Sequence, residues 1–225
     1  MNSNITNMPE DIQAYIGSLK DEIRTLSYSL ALMEKTALKL ISQTTLESEL
    51  SADTIVIDTE TTGLSEMDDE LLQVSIIDYD GNTLYNSYLR PLRMTSWEEA
   101  EAVNHISPQM VAFAPNIYDE MPKINAILRK AKTIIGYNPY FDRNFIGCSG
   151  GISFSDKQLI DVMELFAPIY GEWNEEHREY KWQRLITCAE YYGYDWGEGT
   201  AHDSLADCRA TLYCYKKIIE QKEKS

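Results

Sequence analysis

The sequence predicts a mixed three-layer α/β domain preceded by a heptad-patterned N-terminal helix. Two β-rich runs, 71–79 and 83–89, flank an Asp-Gly-Asn turn and predict an antiparallel hairpin. Strands and helices then alternate along the chain, a pattern typical of a sheet flanked by helices. The 225 residues suffice for one such domain and an appendage. We expect a helical segment and linker over 1–50 and the domain over 51–225.

The N-terminal segment carries apolar residues in alternating steps of four and three. The seam comprises Ile12, Ile16, Leu19, Ile23, Leu26, Leu30, Met33, Ala37 and Leu40. This spacing is typical of the a and d positions of a coiled coil. A single helix cannot bury such a stripe, so we expect pairing with a second copy; the alternative is that the helix folds back on the domain. Asn7 is the expected N-terminal cap.

The domain opens with an apolar strand, 55–57, that leads directly into Asp58 and Glu60. Side chains alternate along a strand, so these two carboxylates project from the same face. Carboxylates this close repel each other unless one is protonated or a cation lies between them, and a divalent ion prefers oxygen ligands. Taken alone, the pair is more often a solvated strand edge. The rest of the chain has to decide between these interpretations.

The remaining elements follow from periodicity and from Pro and Gly signals. Helices are expected at 97–103, 107–113, 118–130, 182–192 and 204–219. A short buried strand is expected at 133–136, and Asn138-Pro139 begins another helix that carries Phe141 and Asp142. The polar stretch 171–181 is predicted to be a surface loop.

The last helix places two further polar residues near one another. Asp207 lies near its start and His202 lies in the loop before it, one helical turn away. Both side chains can therefore reach one cleft. Taken singly, each has an ordinary explanation as a helix-capping group or a surface residue.

The charge balance restricts the partners of this protein. The chain has 36 acidic and 20 basic residues and a formal net charge of -16. It therefore repels a polyanion at long range, unlike a general nucleic-acid binder. If it acts on nucleic acid, we expect it to do so locally, through metal ions and a few Lys or Arg side chains.

Cysteine usage and hydropathy indicate a cytoplasmic protein with no membrane partner. The four cysteines, Cys148, Cys188, Cys208 and Cys214, show no metal-ligand spacing and are expected to be reduced thiols. No apolar run approaches the roughly 18 residues of a membrane span, and the N-terminus does not have the pattern of a signal peptide.

Three motifs in order carry a family resemblance. Asp-Thr-Glu-Thr-Thr-Gly at 58–63, Tyr-Asn-Pro-Tyr-Phe-Asp at 137–142, and His202 with Asp207 five residues on resemble the motifs of the DEDDh 3′→5′ exonucleases. That family includes the proofreading epsilon subunit of bacterial DNA polymerase III and RNase T. A related branch has a tyrosine where this chain has Asp203, so the histidine branch is indicated.

The resemblance implies a ribonuclease H-like fold and a metal-dependent exonuclease. It implies that two divalent ions, Mg²⁺ or Mn²⁺, are held by Asp58, Glu60, Asp142 and Asp207. It also implies that His202 is the general base, a role suited to a group that titrates near neutrality. The expected reaction releases nucleoside 5′-monophosphates from the 3′ end of single-stranded or frayed DNA.

Substrate-binding residues are also implied by the resemblance. The Thr61 backbone is expected to hold the terminal 3′ hydroxyl and Leu64 to pack against the last base. Asn138 and Phe141 are expected in the same pocket. Asn104 stands where many relatives have the His of a His-Gly-Ile motif, and it is expected to contact the substrate in place of that histidine.

Several alternatives remain open at this stage. The substrate is either DNA, or RNA and short oligonucleotides. The negative net charge of the chain favours short substrates, because it repels a long strand more strongly. A non-catalytic interaction protein using the heptad helix is a rival, and a polymerase or repair partner is unidentified. Four residues close to position 180 either contact the nucleic-acid substrate or are ordinary surface and core residues: Lys181, Arg184, Trp173 and Trp182. Asp161 is either near the site or the cap of the following helix.

Overall fold

A computed structural model of the chain describes residues 9, 12–27, 29–30, 33, 53–197 and 201–223. The chain separates into two compact units, Met1–Glu49 and Leu50–Ser225. No helix in these described ranges is both long enough and apolar enough to cross a lipid bilayer.

The N-terminal unit contains a helix, α1, over residues 12–27, with 29, 30 and 33 also helical. The apolar seam lies along it with most of its side chains exposed: Ile12, Leu19, Ile23, Leu26, Leu30 and Met33. The predicted cap Asn7, the seam residues Ala37 and Leu40, and the linker lie outside the described residues.

The second unit is built on a five-stranded mixed sheet with the order β3-β2-β1-β4-β5. Its strands are β1 Thr54–Thr61, β2 Leu71–Asp78, β3 Thr83–Tyr88, β4 Thr133–Gly136 and β5 Gln158–Asp161. The hairpin β2-β3 and the pair β1-β2 are antiparallel, whereas β1, β4 and β5 run parallel to one another. The predicted mixed sheet and its leading hairpin are confirmed.

Helices cover both faces of the sheet, as predicted. They are α2 Glu98–Asn104, α3 Pro108–Val111, α4 Ile117–Lys130, α5 Pro139–Cys148, α6 Val162–Tyr170, α7 Leu185–Tyr192 and α8 Ser204–Glu223. Alternation along β1 divides the core in two. Ile55 and Ile57 pack in the cluster that contains Ile124 of α4, and Val56 packs on the other face with Leu212 of α8. Side chains on the Val56 face of β1 therefore point towards α8.

The prediction of a loop over 171–181 was wrong in part. The stretch contains a small hairpin of β6 Trp173–Asn174 and β7 Glu179–Tyr180. An edge-to-face contact joins the Trp173 and Tyr180 rings across the hairpin, with centroids 5.1 Å apart. Pairs this short leave no alternation of apolar residues for sequence analysis to detect. The following helix, α7, begins at Leu185 instead of 182.

Candidate active site

The first motif lies at the carboxyl end of β1. Asp58 and Glu60 are paired with Ser75 and Gln73 of β2, and both project from the face that also carries Val56. The register of β1 shifts between Glu60 and Thr61, where regular pairing ends. The pair therefore lies at the end of the strand and on the side of the sheet covered by α8. This placement confirms that the two carboxylates share one face.

Three carboxylates meet on that face. Asp58, Glu60 and Asp207 each offer one oxygen, and these oxygens lie within 4.8 Å of one another. Oδ2 of Asp207 accepts a hydrogen bond from the His202 backbone N–H at 3.2 Å. Its Oδ1 is buried and has no hydrogen-bond partner among the described residues. A buried carboxylate oxygen without a donor, beside two further carboxylates, fits a divalent metal ion with oxygen ligands.

The electrostatics of the trio agree with this fit. Burial raises the pKa of Glu60 to about 9, and the charges of Asp207 and Asp142 contribute to the shift. Burial likewise raises the pKa of Asp207 to about 7. The pKa of Asp58 is raised by burial and then by the charges of Asp142, Asp207 and Glu60. Such a group of acids needs either protons or a cation to exist in one place.

Asp142 approaches the trio from the other side of the sheet. It lies in the first turn of α5, whose Phe145 packs on the Ile57 face, and it is only 3% exposed. Its Oδ1 accepts a 2.7 Å hydrogen bond from the hydroxyl of Thr59, which points away from the trio. Burial raises the pKa of Asp142 to about 7 although this hydrogen bond lowers it. The structure thus brings together three of the four predicted ligands and leaves Asp142 adjacent to them.

His202 lies beside the trio in an exposed position. Its backbone is left-handed, with a φ of 71°, and its backbone N–H donates to Asp207 as described above. Among the described residues its imidazole makes no hydrogen bond with a carboxylate. Partial burial lowers its pKa, as do the nearby charges of His105 and Arg184. The residues just before it, 198–200, lie outside the described part of the chain.

One cleft, the Leu64 cleft, opens on the β1 side of the trio and has a volume of about 840 Å³. It is lined by Glu60, by the motif residues 61–64, and by Asn104 and Phe141, among others. Leu64 is 86% exposed there. Four of the five predicted substrate-binding residues therefore line one cavity next to the carboxylates: Thr61, Leu64, Asn104 and Phe141.

Two predicted substrate-binding residues hold the backbone of the site. The Asn104 amide nitrogen donates to the Thr61 carbonyl at 3.1 Å, and its oxygen accepts from the Ile106 N–H at 3.0 Å. Asn138, at a φ of 66°, does not line the Leu64 cleft in the described residues. Its N–H donates to Asp161 at 3.0 Å. The side chain of Asp161 also caps α6, so Asp161 serves both of the roles considered for it.

A second cleft, the Trp182 cleft, opens on the other side of the trio and has a volume of about 450 Å³. Its lining includes Tyr137, Trp182, Arg184, His202 and Asp207. The hydroxyl of Tyr137, in the second motif, donates to the Gln183 carbonyl at 2.9 Å. The second motif is thereby connected to the segment between β7 and α7, and His202 and Asp207 of the third motif line the same cleft.

Sequence analysis missed a buried polar network behind the third motif. Gln73 is 2% exposed, and its amide nitrogen donates to Asn86 and Asp203 at 3.2 and 3.1 Å. Its oxygen accepts from the Ser204 N–H at 3.3 Å, and the hydroxyls of Ser204 and Ser75 lie 2.7 Å apart. The network joins β2 to the first turn of α8, which carries Asp207. The available signal was a glutamine and a serine inside an otherwise apolar strand.

The acidic loop after β1 is held by hydrogen bonds to two of its own carboxylates. The Asp69 carboxylate accepts hydrogen bonds from the Thr62 hydroxyl at 3.1 Å and the Ser65 N–H at 3.0 Å. The Glu70 carboxylate accepts from three successive backbone N–H groups of residues 92–94. Hydrogen bonds to these two carboxylates hold the loop that carries Leu64. The donor groups come together only in the folded chain, so the sequence alone does not show these contacts.

Comparison with known proteins gives consistent results. The family model RNase T, described as Exonuclease, matches residues 55–215. The uncharacterized exonuclease CP81 of Escherichia phage 186 is 33% identical over 172 residues, which cover 72% of this chain and 86% of that protein.

Solved structures share the fold. Exonuclease X in complex with 5′ overhanging duplex DNA superposes with a TM-score of 0.57 at 22% identity, covering 76% of this chain and 93% of that one. E. coli Exonuclease I in complex with a dA16 oligonucleotide gives a TM-score of 0.61 at 21% identity, covering 76% of this chain and 41% of that one. The predicted fold class and the sequence resemblance are confirmed.

Proposed function

Because the chain belongs to the RNase T family of exonucleases, we propose that it acts on the 3′ end of single-stranded or frayed DNA and releases nucleoside 5′-monophosphates. The observation that carries this proposal is the carboxylate trio with the unpartnered Asp207 oxygen, open to a cleft on either side. The three ordered motifs support the 3′→5′ direction. DNA bound in Exonuclease X and in E. coli Exonuclease I supports the choice of DNA.

The proposed cofactors are two divalent ions, Mg²⁺ or Mn²⁺. Their ligands would be Asp58, Glu60 and Asp207, with Asp142 beside them. Bound there, the ions supply an activated water and stabilise the leaving oxygen. Bound ions would also neutralise the carboxylates, so a phosphate should bind more tightly at this site with metal than in chelator.

Other residues receive roles around this centre. His202 is the proposed general base, and its exposed position and lowered pKa favour the neutral imidazole that can accept a proton. Leu64 and Phe141 line the cleft proposed for the terminal base. The Thr61 backbone, held by Asn104, is proposed to contact the 3′ hydroxyl. Asn138 orders the turn that begins α5 and so places Asp142.

The molecular context is also proposed. The exposed seam of α1 supports a homodimer through this helix. All four cysteines are free, which is typical of a reducing compartment and supports a cytoplasmic location. A polymerase or repair protein as partner rests on the sequence resemblance alone.

The direct test is a time course on 5′-labelled and 3′-labelled oligonucleotides of DNA and RNA, with Mg²⁺, with Mn²⁺ and with a chelator. We expect a metal-dependent ladder that shortens from the 3′ end, and nucleoside 5′-monophosphates as the product. Asp207→Asn should abolish the ladder. Asp80→Asn, the same chemical change at an exposed position after β2, is the matched control and should cleave like the wild type.

The outcomes separate the alternatives. Laddering from the 5′ end, or cleavage that persists in Asp207→Asn, would refute the proposed polarity or the proposed site. Faster cleavage of RNA than of DNA would transfer the assignment to an exoribonuclease. The net charge of -16 favours such an enzyme if its substrates are short, because long-range repulsion grows with the length of the strand.

A further inference from the structure

The segment between β7 and α7 forms a wall of the Trp182 cleft and contains both a cation and an aromatic ring. Arg184 and Trp182 line this cleft together with His202 and Asp207. Trp182 is 62% exposed, although large aromatic side chains are usually buried in a core. The segment therefore presents groups that bind phosphate and stack on bases directly beside the carboxylate trio.

Arg184 differs from the other residues of the two clefts in its positive charge. It is the one Lys or Arg among the described residues that line the Leu64 and Trp182 clefts. Its guanidinium forms no ion pair or hydrogen bond with another described side chain. A substrate strand brings one negative charge per nucleotide into a chain of net charge -16, so a cation beside the site has a specific use.

The neighbouring candidates have structural partners instead. Lys181 forms an ion pair with Glu172, with nitrogen and oxygen 2.6 Å apart. Trp173 packs edge-to-face on Tyr180 within the β6-β7 hairpin. Neither residue lines either cleft. The structure thus distinguishes Arg184 and Trp182 from two nearby residues of similar chemistry.

The position of the segment is fixed relative to the second motif. The Tyr137 hydroxyl donates to the carbonyl of Gln183, which lies between Trp182 and Arg184. The Gln183 side chain donates to Glu172 at 3.1 Å and to the Lys181 carbonyl at 3.2 Å. These contacts hold the backbone that carries Trp182 and Arg184, so only the two side chains lose freedom when a strand binds.

We propose that Arg184 and Trp182 form a subsite for the substrate strand upstream of the scissile bond. The guanidinium binds a backbone phosphate there and the indole ring stacks on a base. This inference rests on the proposed function, because the terminal nucleotide is assigned to the Leu64 cleft and the remaining strand must leave by another path. The ligand class is single-stranded nucleic acid of any sequence, since every base presents an aromatic face.

The test compares two matched pairs of variants in the full-length chain. Binding of a fluorescently labelled dT8 oligonucleotide is measured by anisotropy in chelator, and hydrolysis of dT2 and dT8 is measured with metal. We expect Arg184→Ala to weaken dT8 binding about 10-fold and to reduce the slope of log affinity against log salt by about 0.7. Trp182→Ala should weaken binding roughly 5- to 100-fold. Each KM should rise more for dT8 than for dT2.

The controls are Lys181→Ala and Trp173→Ala, which should bind dT8 like the wild type. All four side chains are exposed, so thermal unfolding should show that every variant folds, with Trp173→Ala losing about 1 kcal/mol at most because its ring contact with Tyr180 is removed. If the wild type cleaves dT8 and the two pairs behave alike, the subsite is wrong and the proposed function stands. If the wild type binds dT8 without cleaving it while Arg184→Ala and Trp182→Ala lose binding, the subsite stands and the proposed function is wrong. Absence of both binding and cleavage overturns both.

Discussion

Among individual residues, the carboxylates of β1 are expected to affect stability and activity in opposite directions. Asp58 lies beside Glu60 and Asp207, and its pKa is raised by burial and by their charges. We expect such an arrangement to destabilise the metal-free protein and to favour a bound cation. Enzymes commonly keep residues whose effect on stability is unfavourable at their functional sites.

Replacing Asp58 with Asn tests this opposition. We expect turnover to fall at least about 100-fold, because a proposed metal ligand is lost. In chelator the free energy of unfolding should rise by about 1 kcal/mol, because one of several repelling charges is removed. Chemical denaturation and the exonuclease assay measure the two effects, with Asp80→Asn as the control. A less stable variant would show that Asp58 is a structural carboxylate.

Gly63 lies in the loop after β1, at a position where a side chain does not fit. A Cβ at this position would overlap the Asp69 carboxylate. That carboxylate cannot move freely because it accepts hydrogen bonds from Thr62 and Ser65. The loop that carries Leu64 therefore has no room for a side chain at position 63.

Gly63→Ala should destabilise the protein by about 1–3 kcal/mol and reduce cleavage, because the loop must shift. In a double-mutant cycle with Asp69→Ala, the second substitution should restore part of the loss, since it removes the overlap. Thermal unfolding and the KM for dT8 are the measurements. Strictly additive effects would contradict the proposed overlap.

Between elements, the polar network of Gln73 determines how α8 meets the sheet. Gln73 binds Asn86 on β3 and both Asp203 and Ser204 at the start of α8. Asp207 is one turn further along the helix. The network therefore holds the start of α8, the helix that carries Asp207, against β2.

Gln73→Ala should lower the free energy of unfolding by about 1–3 kcal/mol, because buried groups lose their partners. It should also weaken Mn²⁺ binding measured by calorimetry, because the helix start is less well held. Gln158→Ala, at an exposed position on β5, is the matched control and should change neither property. If both variants lost stability and Mn²⁺ affinity equally, the hydrogen bonds of Gln73 would not be what holds the start of α8.

For the whole molecule, the two features of interest are the proposed dimerisation through α1 and the negative net charge. The seam of α1 has Ile16, Ile23 and Leu30 at a positions and Leu19, Leu26 and Met33 at d positions. Isoleucine at a with leucine at d favours a parallel two-stranded coiled coil. A dimer would present two acidic exonuclease domains to the substrate, so productive contacts must be local.

Leu26→Glu tests the dimer. It places a charge in the proposed seam and should raise the dimer dissociation constant by at least about 100-fold, measured by analytical ultracentrifugation. Arg24→Glu introduces the same side chain outside the seam and is expected to remain dimeric. A wild-type chain that sediments as a monomer at micromolar concentration would refute the proposed dimer.

The sequence by itself determined the hairpin, the strands β1 and β4, most of the covering helices and the candidate carboxylates, but it did not show β5 or the extent of α6. Period-two and period-3.6 patterns are local, so they are visible in any window of the chain. The Asp58-Glu60 pair shares a face because strand geometry requires it. The third carboxylate, Asp207, was placed at the start of a helix for the same kind of local reason.

Only the tertiary structure decided which distant residues meet. It separated Arg184 and Trp182, which line a cleft, from Lys181 and Trp173, which have partners in the hairpin. It also placed Gln73 behind Asp207. These outcomes depend on contacts between segments far apart in the chain, and hydrogen bonds or ion pairs of that kind leave no periodic pattern in the sequence.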